Sequence, residues 1–161
     1  MKIPSLVSVL LLLLVSGLAS CISVNREIPA ERTVVAKTEF ELWQALRIAV
    51  DLSDYPVGGG ADSAKREILS GWKLDLAPYR GKGFRTRVIA SYQPSEDAST
   101  QEPLEAFDVT IRVEKDINES YRSLDPAYAD WKGAPDDLIA AKTIMQRLES
   151  LLGTGEIQSG N

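Results

Sequence analysis

The chain has 161 residues, 18 basic against 23 acidic side chains, a formal charge of −5, a single cysteine and no histidine. That length suits one ordinary domain with its own core, and an acidic balance argues against nucleic acid, whose phosphates want a basic surface. Without histidine the commonest general base is missing, and one cysteine makes neither an internal disulfide nor a multi-thiolate metal site.

Residues 1–20 read as a processing segment. Met1-Lys2 is a short positive start, and Gly17, Ala19 and Ser20 are small. The apolar run between them is about 10 residues, against the roughly 20 that a spanning helix needs. Leu18-Ala19-Ser20-Cys21 then resembles the bacterial lipoprotein signal, the lipobox, in each of its four positions. The resemblance implies cleavage before Cys21, an S-diacylglycerol on its sulfur and an acyl group on the new N-terminus. Two or more acyl chains give stable membrane attachment. By the sorting rule of enteric lipoproteins, Ile22 in place of Asp implies the outer membrane, with the domain facing the periplasm. The alternative is an ordinary signal peptide followed by a buried free cysteine.

Residues 21–32 are expected to form the lipidated N-terminus and a flexible tether, because "ISVNREIPAE" has no periodicity and contains Pro29. One domain is expected over 33–152, with a disordered polar tail at 153–161 and a polar loop at 94–103. "TVVAK" at 33–37 suits a short strand. Thr38 and Glu41 have capping-box spacing, and the following helix, 39–52, gathers Leu42, Trp43, Leu46, Ala49 and Val50 on one face. "DYPVGGGADS" at 54–63 ends it.

Three alternating segments follow. Ile68, Ser70, Trp72, Leu74 and Leu76 share one face, then Phe84, Thr86, Val88, Ala90 and Tyr92, then Phe107, Val109, Ile111 and Val113. Their opposite faces carry Lys73, Asp75, Arg85, Arg87, Asp108, Arg112 and Glu114. Such alternation predicts an antiparallel sheet with one buried and one wet face. A last helix is expected from Pro135 to Leu152, with Gly153 as its left-handed cap. Two amphipathic helices and one amphipathic sheet predict an α+β, two-layer domain. Its three- to four-stranded antiparallel sheet would carry both helices on one face. In element order this is similar to small outer-membrane assembly lipoproteins of the BamC and LptE type, which implies a helix-grip-like architecture. Function does not follow from architecture alone.

The chemistry-bearing motifs are weak. Ser70-Gly71-Trp72-Lys73 fits S-x-x-K, but in an alternating strand Ser70 and Lys73 would point apart. Asp51, Asp54 and Asp62 lack the ligand spacing of a calcium loop, and "YPVGGG" lacks the Lys and Ser/Thr of a phosphate loop. Carboxylate pairs for glycoside hydrolysis need a separation that sequence does not give. The expectation is a non-enzyme with no metal and no cofactor beyond the covalent lipid.

Two stretches could carry recognition. "YRGKGFRTR" at 79–87 gathers Arg80, Lys82, Arg85 and Arg87 in an otherwise acidic protein. It offers contacts to an acidic partner, a phosphate or a carboxylate. The plainer reading is a hairpin turn plus strand residues paired to Asp108 and Glu114. "SLDPAYADWKGAPDD" at 123–137 holds Tyr128 and Trp131, which would either anchor a partner or cap the open end of the core. The expected function is a membrane-anchored, non-catalytic accessory subunit that meets an envelope protein partner through Arg80, Lys82, Tyr128 and Trp131. The alternative is a carrier holding a lipid or small apolar ligand between helix and sheet.

Overall fold

The computed structural model describes residues 27–76, 82–96, 104–120 and 125–153. Cys21, Arg80 and the tail beyond Gly153 lie outside the described residues. In chain order the elements are β1 (Ala30–Ala36), α1 (Glu39–Asp51), β2 (Ala61–Asp62), β3 (Glu67–Leu69), β4 (Lys73–Asp75), β5 (Phe84–Pro94), β6 (Glu105–Asn118), β7 (Trp131–Ala134) and α2 (Leu138–Leu151). The strand expected at 33–37 thus begins at Ala30.

The architecture is α+β with two helices and an antiparallel sheet, but the sheet has seven strands among the described residues rather than three or four. Its order is β1-β6-β5-β3-β2, with β4 added beside β5 and β7 beside β6. The long β5–β6 hairpin is its spine, in register from Phe84 opposite Ile117 to Pro94 opposite Phe107. The extra strands are short. Two or three residues, as in β2, β3 and β4, are too few to show a period in sequence.

Both helices begin on side-chain caps. Thr38 Oγ1 accepts from the Glu41 N–H at 3.1 Å, and Glu41 Oε2 reaches back to the Lys37 N–H at 2.8 Å. This is capping-box reciprocity, displaced by one residue from the usual return bond. The second helix starts later than expected, because Asp137 is its cap, accepting from the Ala140 N–H at 3.0 Å. Pro135 and Asp136 belong instead to the link from β7. At the far end Gly153, at φ 73°, takes the left-handed conformation predicted for it.

The core lies between the helices and the inner face of the sheet. Leu42, Leu46, Ile68, Val88, Ile111, Val113 and Leu148 are completely buried there. Trp43, Tyr92 and Phe107 form an aromatic row beside them, with ring centres 6.3 and 6.0 Å apart and an edge-to-face second pair. Arg147 of α2 donates to the Leu52 carbonyl and, at 2.7 Å, to Ser53 Oγ. A cation therefore sits at the negative C-terminal end of α1.

One prediction about the faces fails. The pairs Leu69–Ile89 and Lys73–Thr86 leave Ser70, Gly71 and Trp72 opposite only Arg87 and Val88, so β3 and β4 are joined through a bulge. One extra residue reverses every later side chain. Ile68 and Ser70 point inward and are buried, as expected, but Trp72 and Leu74 turn to the outer face. Ser70 stabilises the bulge. Its N–H donates to the Val88 carbonyl at 2.9 Å, and its Oγ accepts from the Val88 N–H at 2.8 Å.

Candidate functional site

The outer face of the sheet, away from both helices, carries the most unusual side-chain arrangement. Period-two alternation in β5 places Arg85 and Arg87 there. Their antiparallel partners are Asp116 and Glu114. The Arg85 guanidinium holds Asp116 Oδ2 through Nε at 2.8 Å and Nη2 at 2.7 Å, and Arg87 Nε pairs with Glu114 Oε2. The plainer reading of the basic strand is therefore met for Arg87 and Glu114, whereas Arg85 pairs with Asp116. Asp108 instead accepts from Thr33 Oγ1 at 2.7 Å.

The bulge adds what sequence did not show. Turned outward, Trp72 lies 4.1 Å from the guanidinium carbon of Arg85 and 4.5 Å from that of Arg87, measured to the ring centre. From the other side of the hairpin, β7 brings Trp131 to 4.8 Å from Arg85. The contacts run Arg87–Trp72–Arg85–Trp131, with both arginines on β5 and the two rings reaching them from opposite sides. Cation–aromatic contacts contribute about 0.5–1 kcal/mol each when exposed and more when desolvated. Here Arg85 and Asp116 keep only 26% and 12% of their side-chain surface, so their charges are substantially screened from water.

Asn118 fixes β7 in this position. Its backbone N–H donates to the Gly83 carbonyl at 2.7 Å, and its Oδ1 accepts from the N–H groups of Ser120 at 2.9 Å and Asp130 at 3.0 Å. It is 2% exposed. In the sequence Asn118 only begins a sequon, and nothing there marks it as the joint between the hairpin end and the aromatic segment.

The predicted recognition residues divide. Lys82 and Trp131 come to the same end of the sheet: Lys82 Nζ lies 3.6 Å from Glu119 Oε1, and Glu119 Oε2 also takes Lys132, the residue after Trp131. The Lys132 hydrogen bond holds the Glu119 carboxyl below its ordinary range, and the same bond raises the Lys132 ammonium. Tyr128 sits in the 3₁₀ turn Pro126–Tyr128, 78% exposed. Trp72, Asp116 and Asn118 are members that sequence reasoning did not select, while Arg85 entered it as part of the basic stretch at 79–87. Phe84, expected in the core, is half-buried near the open end of the inner face, with Lys115 Nζ 4.9 Å from its ring centre.

A second cluster joins the start of β1 to the start of α2. The Asp136 carboxylate, its side chain 2% exposed, accepts from Arg112 Nε at 2.8 Å and from the Ile28 N–H at 3.1 Å, both on Oδ2. Arg112 also reaches Glu27 at 3.1 Å. The Asp136 hydrogen bond raises the Arg112 guanidinium further above its ordinary value. The segment at Glu27 and Ile28, expected to be tether, is thus fastened to the domain.

The S-x-x-K geometry is also changed by the bulge. Lys73 shares the inner register with Thr86, so it does not point opposite to Ser70. Its Nζ lies 3.3 Å from the Ser53 carbonyl and 3.5 Å from Asp54, while Ser70 Oγ is engaged with Val88 and Gly71. No group of three His, Cys, Asp or Glu side chains among the described residues is placed to hold a metal. Neither a protein-family model nor a curated protein matches this chain.

Proposed function

We propose that this chain is a lipid-anchored subunit of the bacterial envelope, held at Cys21 on the periplasmic side of the outer membrane, whose work is recognition rather than catalysis. The observation that carries the proposal is the rigid cation–aromatic row on the helix-free face of the sheet. Arg87, Trp72, Arg85 and Trp131 are fixed by ion pairs and backbone bonds, so a partner meets them without the entropy cost of ordering long side chains. At the same end of the sheet Lys82 and Lys132 meet at Glu119, and the exposed ring of Tyr128 sits in the turn before Trp131; they supply charge for steering and apolar area for affinity.

The clasp at Asp136 fits an anchored domain. Six peptide links separate Cys21 from Glu27, a reach of at most about 20 Å. Anchoring at Cys21 then holds the sheet near the bilayer and limits which partners it meets. The carrier reading asks for apolar space between helices and sheet. The completely buried side chains of both layers meet there, which favours an interaction subunit.

The test joins anchor to partner. Wild type labelled with radioactive palmitate should fractionate with the outer membrane, and Cys21→Ser should lose the label. Gentle cross-linking of native membranes should then recover a defined envelope assembly with the wild type. Unchanged labelling of Cys21→Ser removes the anchor, and recovery of the protein alone with extracted lipid favours the carrier.

A further inference from the structure

We propose that the edge of β1 receives an extended peptide from a partner protein as an added strand, with an apolar residue of that peptide against α2 and an acidic residue beside Lys142. This surface is separate from the cation–aromatic row and does not depend on how the chain is anchored.

The argument begins with the order of strands. Among the described residues β1 ends the sheet and pairs only with β6, from Ala30 opposite Ile111 to Ala36 opposite Glu105. Along its other side, alternate residues present N–H and C=O groups with no strand among the described residues to take them, and Glu31, Arg32 and Thr33 are exposed. Such an edge is a template for pairing, and proteins usually cover or interrupt one of this length.

What lies beside the edge gives the added strand a place for its side chains. Between β1 and α2 runs a groove of about 430 Å³, lined by Ala30 and Arg32 on one wall and by Leu138, Lys142, Met145 and Glu149 on the other. A second groove, on the outer face, also borders Glu31 and Arg32. The edge is therefore open on both faces, which is what a strand with alternating side chains requires. Leu138 and Met145 give the inner groove an apolar floor.

Charge narrows the occupant. Arg32 Nη1 lies 3.3 Å from Glu149 Oε1, so those two charges balance across the groove. Lys142 makes no ion pair with another described residue and is exposed. Glu31 also borders the groove but belongs to the outer-facing register of β1, so on the inner side Lys142 is the charge left to an incoming peptide. An acidic residue two positions from the apolar one would share its face of the strand and meet Lys142.

The experiment selects from a displayed library of random seven-residue peptides on the full chain in detergent micelles. Amide hydrogen exchange then follows the most enriched sequence as a synthetic peptide. The expected result is enrichment of apolar–x–acidic patterns and slowed exchange confined to β1. Lys142→Glu, a surface change that should leave the fold intact, should weaken the selected peptide by about fivefold and favour a lysine at its acidic position. The proposal is overturned by absence of enrichment, by protection elsewhere than β1, or by an unchanged preference in Lys142→Glu. It is equally overturned if β1 is protected without peptide as protein concentration rises, since the occupant is then a second copy of this chain.

Discussion

Trp131 and Arg85 stack at 4.8 Å although they reach the outer face by different routes, one in a four-residue strand and the other in the long hairpin. With Trp72 at 4.1 Å on the other side, Arg85 is held by two rings and by Asp116. A double-mutant cycle measures how far these contacts act together. Trp72→Ala and Arg85→Ala should each destabilise the domain in urea, with a coupling energy of about 1 kcal/mol between them. Arg85→Lys should recover only part of it, because an ammonium neither stacks flat nor grips a carboxylate with a planar fork. Strictly additive losses would mean that the rings lie beside the cation without attracting it.

Ser70→Ala should cost about 1–3 kcal/mol, since it leaves the buried Val88 N–H without its acceptor at the bulge. The effect should also reach the outer face. If the bulge slips, Trp72 leaves the guanidinium of Arg85, and tryptophan fluorescence should change in the same variant. Stability equal to wild type in urea would show that the backbone finds another acceptor there.

The two faces predict a contrast between neighbouring strands. Val109 is 1% exposed on the inner face, so Val109→Asp buries an unpaired charge and should unfold a domain of ordinary stability. Arg87→Gln removes one exposed-edge ion pair and one ring contact, a loss of about 1 kcal/mol. Urea melts of the two variants decide this directly.

Much of that contrast is legible in the amino-acid sequence. Unbroken alternation in β5 and β6 reveals the sheet faces, and the Thr38–Glu41 and Pro135 signals mark where the helices start to within a few residues. The outer-face row is not legible there. It depends on one unpaired residue at Ser70–Trp72, and a bulge leaves no trace in hydrophobic period. It depends equally on β7, whose Trp-Lys-Gly-Ala sequence is too short to alternate and is held by Asn118 from another strand. Local pattern predicts the elements that bury their own faces. The elements positioned by long-range hydrogen bonds escape it.

Tyr92 supplies a dependence on pH. Burial first, and then its hydrogen bond to Glu39 at 3.1 Å, push its phenol up from 10.0 to about 12. A group whose folded pKa is raised stabilises the fold fully below its unfolded value and loses that contribution as pH rises through the folded one. Stability should therefore fall between about pH 10 and 12, and Tyr92→Phe should fall less over that window. Glu39 acts at the other end. The hydrogen bond from Arg66 lowers its carboxyl, so its contribution is present above about pH 4.5 and fades as pH falls through the lowered value. Urea melts at stepped pH measure both; parallel curves for wild type and Tyr92→Phe above pH 10 would remove the tyrosine from the explanation.

Recognition by the outer face is tested most directly by placing a photo-activated cross-linking residue at Leu74, exposed on that face opposite Arg85, and for comparison at Ile48, exposed on α1. Cells carrying each variant are illuminated, and the adducts are identified by mass spectrometry. The Leu74 position should give an adduct with one envelope protein, lost when Trp131→Ala is added and circular dichroism shows the fold intact. The Ile48 position should give none with that protein. Adducts from Ile48 alone, or a Leu74 adduct indifferent to Trp131→Ala, would contradict recognition through the cation–aromatic face.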